Sequence, residues 1–453
     1  MNKLLKTGFF VFVAVSVLIG MTGCGKTTEP TTTTEEPTAL TEEPTSPPEV
    51  VVINGLHQFS PGAGFQAVLQ ELTDEFNAAH PYIRVEWDYA GYETYFTKLQ
   101  AGLESDNPPD MLYRAGIRDL GMDDFYLNLG PYMNEPSYDD ANVLWKDTFP
   151  ASIVGEGGLY WLEDVPQGAG IYGVPNEFIV EGVFYSKDIF EQNSIEIPTT
   201  YDEFISVCQT LKAAAISPVL QDNDQGYNAN IFIELAGMVA GEDAFLEAAS
   251  GTGTFETPDF VEAARLTQNF AAECFQDAWT GYQYPAAQSM LAQGAGAMNI
   301  NGSWLPSELE SVMPENFRIG FFRVPPVTGG KGTPNQMQSI INGYVVLKAT
   351  QHPVEVTEYL KFLSSEYATE KVAAHGNLMA RIGASVPDQL SDVPAVIADS
   401  HLVSRAFGTY EDYQDWFVQV SWKYGDLLII GSLTPEEAMK QLDQATKEYW
   451  ANQ

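Results

Sequence analysis

The chain has 453 residues, which at about 150 residues per domain points to two or three domains. Hydrophobic residues make up 45% and aromatics 12%, ample for one or two large cores. Lys and Arg total 22 against 61 Asp and Glu, a formal net charge of −39, which argues against binding to nucleic acid or to an anionic lipid surface. Three cysteines in this length exclude a disulfide scaffold.

The chain opens with Lys3 and Lys6, then an apolar run from Phe9 to Ile19. A bilayer span needs roughly 20 residues, so this shorter run fits the core of a signal peptide. Met21-Thr22-Gly23-Cys24 follows, with small residues just before the cysteine. The spacing predicts a lipoprotein signal over 1–23, with lipid on Cys24 after cleavage. Gly20 to Thr27 also matches the G-x4-G-K-[ST] phosphate-loop pattern in full. That loop needs a strand before it and a helix after it. Here a signal core precedes and a Thr/Pro tract follows, so the match is read as chance. Residues 24–49 are mainly Thr, Glu and Pro and read as a flexible linker between lipid and body.

From residue 50 the pattern alternates strand and helix, which predicts an α/β fold with a mostly parallel sheet. Val50 to Ile53 reads as a short buried strand. Phe65, Val68, Leu69, Leu72 and Phe76 recur at helical spacing. Ile83, Val85, Trp87 and Tyr89 alternate as in a strand, and Met111-Leu112-Tyr113 reads as another. Thr200 to Glu203 and Thr434 to Glu437 are capping boxes that open helices. Cys208 and Cys274 fall in helical patterns among apolar neighbours and read as buried small hydrophobes.

Catalytic and metal chemistry find little support. The five histidines are scattered, with no H-E-x-x-H and no G-x-S-x-G. Asp222 to Gly226 faintly resembles a calcium loop, but its Gly and Glu234 are each one position off the needed spacing. No acid/base pair stands out, so neither an enzyme nor a cofactor is read. Aromatics are more informative. Twenty-two Tyr and eight Trp include several in Gly-containing, turn-like contexts: Tyr113-Arg114, Gly226-Tyr227, Gly302-Ser303-Trp304 and Gly343-Tyr344. A flat ring can cover the C–H face of a sugar while polar neighbours bond its hydroxyls.

The blocks Leu72 to Phe76 with Pro81 to Val85, Lys98 to Ala101, Asn107 to Asp110, Tyr172 to Pro175, Gly182 to Phe190, Pro198 to Phe204, Gly296 to Trp304 and Pro435 to Ala438 occur in order across residues 50–450. In this the chain resembles the family 1 extracellular solute-binding proteins, the carbohydrate-capturing subunits of ABC importers. Ser186 and Tyr201 depart mildly from the family pattern. The resemblance implies a two-lobed periplasmic-binding-protein type II fold with a hinge and an interlobe ligand cleft. Lobe one is expected over 50–179 plus 345–385, lobe two over 180–338 plus 386–453, with crossovers at 178–183 and 338–345. It also implies a monomer that captures a carbohydrate and delivers it to ABC permease subunits, held by its lipid on the outer face of the membrane. Trp304 matches the family's stacking residue, Glu177 an acid of its cleft, and Tyr227 a further stacking position. The carboxyl ends of strands in an open α/β sheet face the ligand, which adds Phe59, Tyr113, Arg114 and Asn176. Asn342 and Tyr344 lie at the second crossover, and Trp416 or Trp422 is expected to close the pocket. A polyamine- or peptide-binding protein and a tethered glycosidase are the alternatives.

Overall fold

The computed structural model describes residues 50–58, 65–105, 107–115, 123–163 and 165–452. The signal segment, the phosphate-loop look-alike, Cys24, the Thr/Glu/Pro tract and Phe59 lie outside the described residues. Among those described, no helix is long and apolar enough to cross a membrane.

Alternation of strand and helix begins as the sequence predicts. β1 (Val51–His57) runs parallel to β2 (Ile83–Tyr89) and to β3 (Met111–Ala115). Between β1 and β2 lies the helix Phe65–Ala79, which buries Phe65, Val68, Leu69, Leu72 and Phe76 on one face. β1 is longer than its apolar run suggests. It continues through Asn54 and Gly55 to His57, and the glycine is required there: a Cβ on Gly55 would fall 2.4 Å from the Trp87 ring on β2. A short hairpin, β4 (Trp161–Leu162) and β5 (Gly170–Ile171), follows.

The expected mostly parallel sheet is corrected to a mixed one. The long β6 (Val174–Ser186) pairs antiparallel with β10 (Gln336–Val346), which in turn pairs antiparallel with β3. Beyond residue 180, β6 turns to new partners, β8 (Gly296–Gly302) and β9 (Ile319–Phe322), again antiparallel. β7 (Ser217–Val219) runs parallel to β8, and β11 (His401–Ser404) parallel to β10. The two long strands thus stand antiparallel to each other in the middle of the sheet, with parallel pairs at both ends and β11 added parallel to β10. Crossover connections keep neighbours parallel only within one βαβ series, and β6 and β10 each pass from one series to the other.

The cores divide along the same line. One gathers Ile53, Leu69, Phe76, Leu112, Tyr172, Val345 and Leu360 around β1, β3 and the first half of β6. A second gathers Phe204, Leu211, Ile233, Phe270, Trp416 and Leu442. A smaller third joins Leu220, Leu291, Leu305, Phe321 and Leu390. Thr200 caps its helix by accepting from the Glu203 backbone N–H, while Glu203 reaches back to Thr199. At Thr434 the reciprocal capping box with Glu437 is complete.

Cys208 and Cys274 correct a second expectation. They are buried, but as a disulfide joining the helices Tyr201–Ala213 and Pro258–Cys274, with their Cα atoms 5.1 Å apart. Helical periodicity placed each cysteine on an apolar face and gave no sign that the two faces meet. The bridge closes a loop of 66 residues, and the chain entropy it removes from the unfolded state corresponds to about 4 kcal/mol. Replacing both cysteines with serine is expected to lower unfolding stability by up to that amount. Urea denaturation should show the midpoint shift, and dithiothreitol should produce a similar loss in the unmodified chain.

Candidate functional site

β6 and β10 cross beneath a cavity of about 560 Å³. Its floor is Glu177 and Ile179 on β6 with Ile340 and Asn342 on β10. In a strand, residues two apart share a face, so each strand offers one such pair. Phe65, Gln66 and Thr94 line one side, from the start of the helices at 65–79 and 92–103. Tyr227, Tyr284, Trp304, Glu308, Arg405 and Trp422 line the other.

The aromatic side is held from behind. Tyr227 follows Asp224, which caps the helix Gln225–Ala240 by accepting from the Gly226 N–H. Its ring stacks on Tyr284 at 5.7 Å between centroids and 14° between planes. Trp304 follows the end of β8 and lies across Gly302, where a Cβ would meet the indole at 2.0 Å. No side chain larger than hydrogen fits beneath that ring. Trp422 lies over Gly226 in the same way, with a would-be Cβ contact at 3.0 Å.

The polar groups are buried carboxyls and amides. Glu177 accepts from the Tyr113 hydroxyl and from the Asn342 amide at 3.4 Å. Burial pushes its carboxyl up, and those two donors pull it part of the way back. Glu308 accepts from the Tyr284 hydroxyl, and burial raises its carboxyl to about 7. Arg405, at the carboxyl end of β11, pairs with Glu181 at 2.9 Å, with both side chains about 14% exposed. Behind Tyr227 a smaller, mainly apolar cavity of about 50 Å³ also takes in the polar side chains of Glu181, Asn230, Glu234 and Gln338. Glu234 accepts from the Gln338 amide, and burial with the nearby Glu181 raises it to about 7.

Of the residues the sequence singled out, Trp304, Tyr227, Glu177 and Asn342 come together on the cavity. Trp422 joins them, and among the described residues Tyr113, Arg114, Asn176, Tyr344 and Trp416 do not line it. Tyr113 and Tyr344 face each other across β3 and β10, one row deeper than Ala115 and Asn342, and both are fully buried. Tyr113 touches the site from beneath, through its bond to Glu177 and its ring packed on Phe65 at 5.0 Å between centroids. Arg114 points to the opposite face of β3, where it donates to the Tyr126 hydroxyl at 2.6 Å. Asn176 is displaced by a register slip. Asn342 pairs with Glu177 and Gly343 with Pro175, so Asn176 is the extra residue of a bulge. Trp416 is in the core, stacked on Phe255 at 6.4 Å and donating to the Thr446 hydroxyl. Trp422 is the tryptophan of that region that lines the cavity. Residues 417–421 form a wide π turn, which rotates the helix face between the two rings. The Asp222 to Gly226 segment caps and braces: Asp222 accepts from the Ala287 N–H, and no group suited to a metal occurs among the described residues.

Tyr284, Glu308 and Arg405 were missed. Glu308 carried a signal, since it lies four residues after Trp304 and so shares its helical face. Arg405 obeys the carboxyl-end rule, applied to a strand too short to read from sequence. Nothing local marks Tyr284.

The family described as bacterial extracellular solute-binding protein matches residues 58–370. An uncharacterised ABC transporter extracellular-binding protein of Pyrococcus horikoshii is 24% identical over 460 residues, 98% of each chain. The multiple sugar-binding protein of Streptococcus mutans is 25% identical over 211 residues, 44% of this chain and 49% of that one. A structure solved in work on xylan utilization by Caldanaerobius polysaccharolyticus matches with a TM-score of 0.73 at 20% identity, over 87% of this chain and 100% of that chain. This likeness shows a common two-lobed α/β fold.

Two outcomes follow from the placement. Trp416→Ala empties a core site and should cost about 3–5 kcal/mol of stability, whereas Trp422→Ala, which removes a ring only partly buried against that core, should cost less and enlarge the cavity. Denaturant titration and binding calorimetry on both variants separate these effects. Ionising Glu234 is harder in the fold than in the unfolded chain, because its folded value of about 7 exceeds the ordinary 4.5. The destabilisation is absent below pH 4.5 and complete above pH 7, so stability should fall across that window by up to about 3 kcal/mol. Glu234→Gln should flatten that slope in unfolding curves recorded from pH 4.5 to 8.

Proposed function

The chain belongs to the bacterial extracellular solute-binding proteins, and on that premise we propose that it captures a sugar or oligosaccharide in the cavity over β6 and β10 and delivers it to an ABC importer. The observation that carries this reading is the aromatic side of the cavity. Tyr227, Tyr284, Trp304 and Trp422 surround one 560 Å³ space edged by carboxyls and an amide. That volume suits a small oligosaccharide, and flat rings with a few fixed polar groups suit its alternating C–H and O–H faces. Two relatives support the same class: the Streptococcus mutans protein is named for binding multiple sugars, and the Caldanaerobius structure comes from work on xylan utilization.

In this reading Trp304 and the Tyr227–Tyr284 pair stack on pyranose rings, and Glu177, Glu308 and Asn342 take hydrogen bonds from hydroxyls. Tyr113 holds the Glu177 carboxyl in place from below. The hinge is the stretch where β6 and β10 leave one core for the other, near residues 178–183 and 338–345. Residues 50–179 with 345–385 then move as one lobe, and 180–338 with 386–453 as the other. Closure brings Phe65 and Thr94 against the aromatic side, so only the closed form makes every contact, and ligand shifts the population towards it. The closed monomer is the form presented to the permease. Lipid on Cys24 would tether it at the outer face of the membrane, with 25–49 as spacer. The sugar leaves chemically unchanged.

Thermal unfolding against a panel of mono- and oligosaccharides, with spermidine and a peptide mixture as controls, tests this. Ligand at 100 times its dissociation constant stabilises a fold by about 2.7 kcal/mol, a clear rise in melting temperature. The expected result is a rise with a sugar that is recovered intact. Trp304→Ala should weaken that binding roughly tenfold, about 1.4 kcal/mol. A rise only with spermidine or peptide overturns the carbohydrate reading, and hydrolysed sugar overturns capture without catalysis.

A further inference from the structure

Two acceptor atoms on the cavity lack an ordinary hydrogen-bond partner. Asn342 is 5% exposed, and its amide nitrogen is turned to Glu177, which fixes the carbonyl oxygen Oδ1 as the free end. That oxygen has no hydrogen-bond partner. On the same lining, near enough to feel the Glu177 charge, Glu308 Oε2 also makes no hydrogen bond of ordinary geometry, although the Gln288 amide lies beside it. Both atoms are acceptors. Leaving a buried acceptor unsatisfied is costly, so a fitting ligand brings hydrogen-bond donors to this end of the site.

Charge points the same way. Among the described residues that line the cavity, the ionisable acids are Glu177, Asp224 and Glu308. The one cation is Arg405, and its guanidinium is already matched by Glu181. The surrounding faces are aromatic rings, whose negative π faces attract a cation. The whole chain, at −39, adds a field of the same sign.

Resting on the carbohydrate reading above, we propose that the cavity selects a glycan bearing a free ammonium group, an amino sugar, with the ammonium seated between Glu177, Asn342 and Glu308. A hydroxyl both donates and accepts; an ammonium only donates, with three N–H bonds and a charge that the carboxyls match. Asn342 Oδ1, Glu308 and Glu177 supply one acceptor group to each. The rest of the glycan lies on Trp304 and the tyrosine pair. Anionic sugars are excluded by the same carboxyls.

The test uses three disaccharides of one β-1,4-glucose backbone that differ only at C2: ammonium, acetamido or hydroxyl. Binding of each to the intact chain is measured by calorimetry at low and high salt, with spermidine as a fourth ligand. The expected result is that the ammonium form binds at least tenfold tighter than both neutral forms, and that salt erodes this preference. Glu308→Gln and Glu177→Gln should bring the three disaccharides to near-equal affinity. Each variant's melting temperature and circular dichroism spectrum show that it is still folded. Equal or tighter binding of a neutral form, or no preference among the three, overturns the ammonium assignment. In that case any sugar binding at all leaves the carbohydrate reading standing, whereas binding of spermidine alone overturns both.

Discussion

The antiparallel pairing of β6 with β10 is the constraint on which the site depends. Residues 339–344 of one strand meet 174–180 of the other, and their shared upper face is the cavity floor. Each strand also belongs to a separate set of partners on either side of that contact. Hydrogen bonding therefore fixes where Glu177 and Asn342 stand relative to each other, whatever the flanking cores do. The bulge at Asn176 resets the alternation of β6, so that Glu177 and not its neighbour faces the cavity. One inserted residue decides which polar side chain lines the cavity.

Around that floor the molecule places its buried charge with care. The surface carries a large excess of carboxylates, which water solvates at little cost. The interior holds Glu177, Glu181, Glu234 and Glu308 close to the cavity, each raised by burial. Each has a neutral donor or a guanidinium beside it, so none is left as an isolated charge. Tyr227 separates the larger cavity from the smaller one behind it and lines both. The polar cluster at Glu234 and Gln338 therefore lies directly behind a ring of the site.

Much of the fold was legible in the sequence because it is local. The faces of the first helix, the alternation of β2 and both threonine caps follow from period and from capping chemistry. The family blocks supplied the two-lobed plan, and Trp304, Tyr227 and Glu177 came with them. What escaped was set by pairing across distance. Strand spacing cannot show that β10 stands antiparallel between β3 and β6, so Tyr344 and Tyr113 looked like site residues when they form the row below. The choice between Trp416 and Trp422 turned on a π turn that helical periodicity does not contain. Cys208 and Cys274 each fit an apolar face, and only the packing of two helices makes them partners.

That bridge lies in the helices Tyr201–Ala213 and Pro258–Cys274, and neither cysteine lines the cavity. Proteins of an extracellular family are synthesised where thiols stay reduced and work where they oxidise. The cross-link therefore sets a chronology. While its thiols are reduced the second core holds together by packing alone. Once they are oxidised, the cross-link shuts off the most extended conformations of the chain. The same two side chains thus give the chain a direction of travel: loose on the side where it is made, and locked on the side where it serves.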